Sequence, residues 1–123
     1  MRIGILGNEG SWYGADLSRA AAERGHDCVR VEFPLVAASC GEPASSEPKI
    51  VSSAEHDLTT FDAIIVRTMP PGSLEQVVFR MDVLARLVVA GVQVVNSPRS
   101  MECAVDKFLT TTKLEAVGLP VPA

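Results

Sequence analysis

An open, mainly parallel α/β sheet of four to five strands with helices on both faces is the fold this sequence predicts, on three observations. Short apolar runs alternate along the chain with longer segments of helical spacing. Two of those runs, residues 3–6 and 63–66, are apolar on both faces, as the central strands of a parallel sheet must be. Glycine or proline stands at most changes of period. Alternation of this kind implies right-handed crossovers, with ligands bound beyond the carboxyl ends of the strands.

The elements follow in order. Residues 3–6 run into Gly7-Asn8-Glu9-Gly10, a strand entering a glycine-rich turn. From Trp12 to Arg24 the spacing is helical, with Leu17, Ala20 and Ala21 on one side, and Gly25 stops it. Residues 28–33 alternate with a strand's period until Pro34. Residues 38–48 have loop composition and read as a surface excursion, from which residues 49–52 return as a short edge strand. After the run at 63–66 comes a turn at residues 69–72. Ser73 with Gln76 then makes a capping box for a long helix from Leu74 to about Ala90. Gly91 ends that helix, residues 92–95 form the next strand, and Ser97-Pro98 opens a short helix by cap and proline. A last helix spans residues 106–117, ahead of the stop at Gly118 and Pro120.

With 123 residues, 47% apolar and 21% charged, the chain reads as one domain over residues 1–123 that buries a core without covalent staples. Cys28, Cys40 and Cys103 are odd in number and at no metal-ligand spacing, which argues for a reducing compartment and against a metal site. The net charge is −4, with the imbalance in residues 1–60, so there is no basic field for nucleic acid. No run approaches the roughly 18–20 apolar residues of a membrane span, and a cytoplasmic location is expected.

Several residues are candidates for chemistry. A dinucleotide-binding turn needs Gly-x-Gly-x-x-Gly, whereas Gly4, Gly7 and Gly10 are spaced Gly-x-x-Gly-x-x-Gly, and Glu9 puts a negative charge where a pyrophosphate would sit. A plain strand-to-helix turn is the better reading. Arg67 lies just past a buried strand, where it meets a substrate anion or an internal carboxylate such as Asp62 or Asp82. The long helix is apolar on nearly all sides. One arc of Leu74, Val77, Val78, Met81, Leu84 and Val88 is expected to face the sheet, and a second of Phe79, Val83 and Leu87 to join a partner. Arg80 lies between the arcs, meeting an interface carboxylate or snorkelling to solvent. Asp82 and Arg86 have the spacing of a surface pair. Lys107 follows the N-cap Asp106 in the first turn of a helix, where a cation beside free amides makes an anion site; the alternative is an ion pair with Asp106 or Glu102. His26 and His56 have no partners for catalysis, and no nucleophile motif occurs.

Residues 66–84, with Phe79-Arg80-Met81-Asp82-Val83-Leu84 the most specific part, resemble the amino-terminal region of RimK-type α-L-glutamate ligases of the ATP-grasp superfamily. So do residues 95–107, with Asn96-Ser97-Pro98-Arg99 and Asp106-Lys107, and residues 118–122. The resemblance implies a Rossmann-like pre-ATP-grasp domain, with an ATP-grasp body expected after residue 123. It implies a parent enzyme in which ATP phosphorylates a small-molecule or peptide carboxylate and L-glutamate is joined to it through an amide. ATP and magnesium would serve the parent, with neither expected on the isolated domain. Lys107 would contact ATP phosphate. Arg67, Asn96 and Arg80 would be substrate or interdomain contacts, and no catalytic or metal-binding residue is expected within these 123 residues. Two other readings stand beside it: a free-standing nucleotide-binding or regulatory α/β domain using the turn at residues 7–10, and a homo-oligomerisation module built on the long helix.

Overall fold

The computed structural model describes residues 1–40 and 50–122. Four apolar runs pair as a parallel sheet: β1 (Arg2–Leu6), β2 (Asp27–Val31), β6 (Ala63–Val66) and β7 (Gln93–Val95), in the order β2-β1-β6-β7. β1 lies inside, with Gly4 opposite both Val29 and Ile64 in register. Because side chains alternate, Leu6, Val31, Ile64, Val66 and Val94 share one face and Ile5 looks to the other. α1 (Trp12–Glu23) packs beside β2 and covers the Ile5 face. α2 (Leu74–Val89) covers the opposite face, where Val83, Leu84 and Leu87 join the main core. α3 (Pro98–Val105) and α4 (Lys107–Ala116) pack on each other beyond β7.

Between β2 and β6 the chain forms a second sheet. β3 (Val36–Ala38), β4 (Val51–Ser53) and β5 (His56–Asp57) pair antiparallel in that order, on the same face as α2. The expected edge strand at 49–52 is therefore the middle strand of this small sheet, and Val51, Leu58 and Phe61 carry it into the main core. Most of the expected loop at 38–48 lies outside the described residues. The strand expected at 28–33 ends at Val31, because Pro34 opens a short 3-10 turn over residues 33–35 that folds Phe33 inward.

The caps formed as the local chemistry requires. Ser73 and Gln76 complete a capping box at α2, Ser97 Oγ accepts from the Ser100 amide at α3, and Asp106 accepts from the Leu109 amide at α4. The face of α2 differs from expectation. Arg80, Val83, Leu84 and Leu87 are the buried stripe, while Leu74, Val78 and Val88 are exposed. Val83 and Leu87 thus serve the core and are not available to a partner. Arg86 donates to Cys40 Sγ at 3.2 Å, in place of the expected pair with Asp82.

Candidate functional site

The carboxyl ends of β1, β6 and β7 converge on one rim. The Arg67 amide donates to the Leu6 carbonyl at 2.8 Å and the Thr68 amide to the same oxygen at 3.3 Å, so the exit of β6 is drawn over the end of β1. Asn96 Nδ2 donates to the Val66 carbonyl at 3.2 Å and ties the end of β7 to β6. Above these bonds lies a cavity of about 280 Å³ lined by Val66, Arg67, Thr68, Met69, Asn96 and Met101. A smaller hollow of about 150 Å³ lies between the ends of β1 and β2, where Glu9 and Glu32 are among the lining residues. The two carboxylates share the single cation Arg30, at 3.6 and 2.8 Å, so this turn keeps a net negative charge and is unsuited to a pyrophosphate.

Arg80 supports the rim from beneath. Only 8% exposed, it donates from Nη1 to the Pro70 carbonyl at 2.6 Å and lies 5.7 Å from the Phe33 ring centroid. Its partner is a backbone carbonyl of its own chain, neither the interface carboxylate nor the solvent that the sequence offered, and the bond fixes the loop between β6 and α2. Gly72 leaves room there: a Cβ would stand 2.7 Å from Gln76 Oε1 and 3.0 Å from Arg80 Nη1, so a larger residue would push these two side-chain ends aside. Where that loop enters α2, the Ser73 hydroxyl donates to Glu75 Oε2 at 2.7 Å, and this bond, then the Glu75 backbone amide, holds the Glu75 carboxyl below its ordinary range.

Arg67 meets neither Asp62 nor Asp82. Its guanidinium carbon sits 4.0 Å from the Tyr13 ring centroid, and Tyr13 in turn stacks on Trp12 with centroids 3.9 Å apart. Asp62 instead accepts from the Arg2 amide. Sequence reasoning missed both aromatic residues by counting them only as part of a helix. The available signal was their place at the start of the helix that follows the first glycine turn. Lys107 opens α4, exposed, and among the described residues its ammonium makes no ion pair with Asp106, Glu102 or any other carboxylate. It is outside the lining of the β6–β7 cavity, so the structure brings Arg67 and Asn96 together, sets Arg80 below them and leaves Lys107 apart. Among the described residues no three His, Cys, Asp or Glu side chains gather as metal ligands, and no helix is long and apolar enough to cross a membrane.

A family model for the RimK PreATP-grasp domain matches residues 1–101. The chain belongs to this family. As a RimK pre-ATP-grasp domain it is 33% identical over 122 residues to the tetrahydromethanopterin:α-L-glutamate ligase of Methanosarcina acetivorans, a match covering 98% of this chain and 38% of that protein. Among solved structures, the ATP-grasp ligase PsnB complexed with a minimal precursor, Mg and ADP superposes at a TM-score of 0.71, with 20% identity over 98% of this chain and 44% of PsnB. A RimK-domain ATP-grasp protein from Sphaerobacter thermophilus superposes at 0.67, with 24% identity over 100% of this chain and 40% of that one. Likeness at these identities establishes the fold. The RimK pre-ATP-grasp domain described here spans less than half the length of each of these relatives.

Proposed function

We propose that this domain is the amino-terminal, substrate-side part of an ATP-dependent carboxylate–amine ligase that adds L-glutamate. The observation that carries this reading is the 33% identity, running through 98% of the chain, to a glutamate ligase. The geometry suits it. The rim over β1, β6 and β7 offers Arg67 for an acceptor carboxylate, with Asn96 bonded to the strand end below it and Arg80 bracing the loop. Fixed positive charge and amide groups bind and orient an anionic acceptor without reacting with it. The chemistry would be carboxylate attack on the γ-phosphorus of ATP to give an acyl phosphate and ADP. The glutamate amine then displaces phosphate and loses a proton to leave the amide.

The described residues hold no cluster fit for magnesium, so the metal is assigned to an ATP-grasp body and no step of this chain runs through it. Lys107 would reach ATP phosphate from the amino end of α4, and a homo-oligomer would use the exposed side of α2 around Leu74 and Val78.

Two experiments test the reading. The coding frame beyond Ala123 should continue into an ATP-grasp body with its metal-binding carboxylates, and a stop codon there would overturn the proposal. In the full-length protein, an acceptor labelled with ¹⁸O in its carboxylate should pass one labelled oxygen to inorganic phosphate for each glutamyl amide formed. Amide formation without label transfer would remove the acyl phosphate.

A further inference from the structure

Arg67 leaves its strand under two restraints. Its amide donates to the Leu6 carbonyl at 2.8 Å, which fixes the backbone, and its guanidinium carbon lies 4.0 Å from the Tyr13 ring centroid. Trp12 stacks on Tyr13 with centroids 3.9 Å apart and ring planes inclined by 30°, so the Tyr13 ring is held between an indole and a cation. Stacking uses the flat face of a guanidinium and leaves its in-plane N–H fork free. Among the described residues no carboxylate pairs with that fork and no hydrogen bond occupies it. The same exposed side chain lines the cavity beyond β6 and β7 together with Thr68 and Asn96. A free arginine side chain loses rotamer freedom when it grips an anion, and that loss weakens binding. Here the ring has already removed part of that freedom.

We propose that Tyr13 is a positioning residue: its ring holds the Arg67 guanidinium in the orientation that meets a carboxylate at the rim, and Trp12 steadies the ring. The inference rests on the ligase reading above for the acceptor as owner of that carboxylate. Tyr13 acts through Arg67, by its ring and not its hydroxyl.

Nuclear magnetic resonance on the ¹⁵N-labelled full-length protein tests this with acetate as the probe, in the absence of ATP and glutamate. The Arg67 Nε–H signal reports the guanidinium, and the Asn96 side-chain amide reports acetate in the same cavity in every variant. In the wild type the Arg67 signal should be rigid and shifted by the ring, and acetate should move both signals. Tyr13→Leu should free the Arg67 side chain and raise the acetate Kd roughly two- to tenfold, the range for ordering one long side chain. Tyr13 is 42% exposed and leucine is a good helix former, so this variant keeps the fold. Tyr13→Phe should restore wild-type behaviour, because the ring does the holding. In an Arg67→Gln background Tyr13→Leu should cost nothing further, a result that a general loss of structure would not give. Wild-type affinity in Tyr13→Leu, no acetate response at Arg67, failed rescue by Tyr13→Phe, or a second loss in Arg67→Gln overturns the positioning role. The ligase reading fails separately: a protein that passes these tests but forms no glutamyl amide keeps the Tyr13 role and loses the ligase. One that forms the amide but binds acetate equally well without the Tyr13 ring does the reverse.

Discussion

A methyl group added at Gly4 would stand 2.6 Å from Ile64 Cδ1, 3.2 Å from Val31 Cγ2 and 3.3 Å from Phe61 Cδ1. Gly4→Ala should therefore cost about 1–3 kcal/mol by overpacking, read in urea denaturation. Ile64→Val removes the nearest atom, so the double variant should be less destabilised than the two single losses together, and strict additivity would refute the clash. Lys107 makes a different kind of claim. In the full-length protein, on the proposed ligase reading, Lys107→Ala should raise the ATP KM or lower kcat/KM roughly ten- to a hundred-fold, equivalent to losing one charge-assisted hydrogen bond of about 1.5–3 kcal/mol. Thermal stability should be kept, because a first-turn cation does not stabilise its own helix. Unchanged ATP kinetics would show that Lys107 does not touch phosphate. At this scale the caps Ser73, Ser97 and Asp106 were legible, since each is decided by a side chain and an amide three residues away. The surroundings of Arg67 and Arg80 were not, since Tyr13 and Pro70 reach them only through the fold.

The capping box of α2 couples a helix end to an acid. Ser73→Ala should cost about 1 kcal/mol at neutral pH, by chemical denaturation. Because the folded state holds Glu75 below its ordinary value, the stability tied to its charge is present above the unfolded pKa and is lost as pH falls through the folded one. The gap between wild type and Ser73→Ala should accordingly narrow as pH drops below about 4.3. A gap constant from pH 7 to pH 3 would mean that the hydroxyl caps the helix without engaging Glu75. The expected orientation of α2 was wrong for a plain reason. Residues 74–89 are apolar over most of the circumference, so periodicity offers two arcs, and the sheet selects Val83, Leu84 and Leu87 over Val78 and Val88. β3 and β5 escaped for another reason, being two or three residues long, too short for an alternating pattern to register, while β4 was expected only as an edge strand at 49–52.

Across the molecule, burial is uneven. α3 and α4 contain no buried residue, and Phe108 is 78% exposed. If an ATP-grasp body covers this end, Phe108→Asp should lower the Tm of the full-length protein, losing about 2 kcal/mol of apolar contact, yet barely change that of the 123-residue chain. Calorimetry on both forms decides the matter; equal losses in both would make Phe108 a core residue of this domain. The parallel sheet and its covering helices were legible because β1 and β6 are apolar on both faces, a pattern that only a two-sided layer satisfies. Strand order carries one more consequence. β1 gains one neighbour, β2, from nearby in sequence, and Arg2 meets Asp62 at the start of β6 only after a separation of 60 residues. Loop-closure entropy rises only logarithmically, by about 0.6 kcal/mol per doubling of length. The stretch between β2 and β6 can therefore be lengthened cheaply by descendants of this gene beside the Phe33 and Pro34 edge of the rim, provided that Val51, Leu58 and Phe61 keep their places in the core, changing what is bound there while the sheet stays as it is.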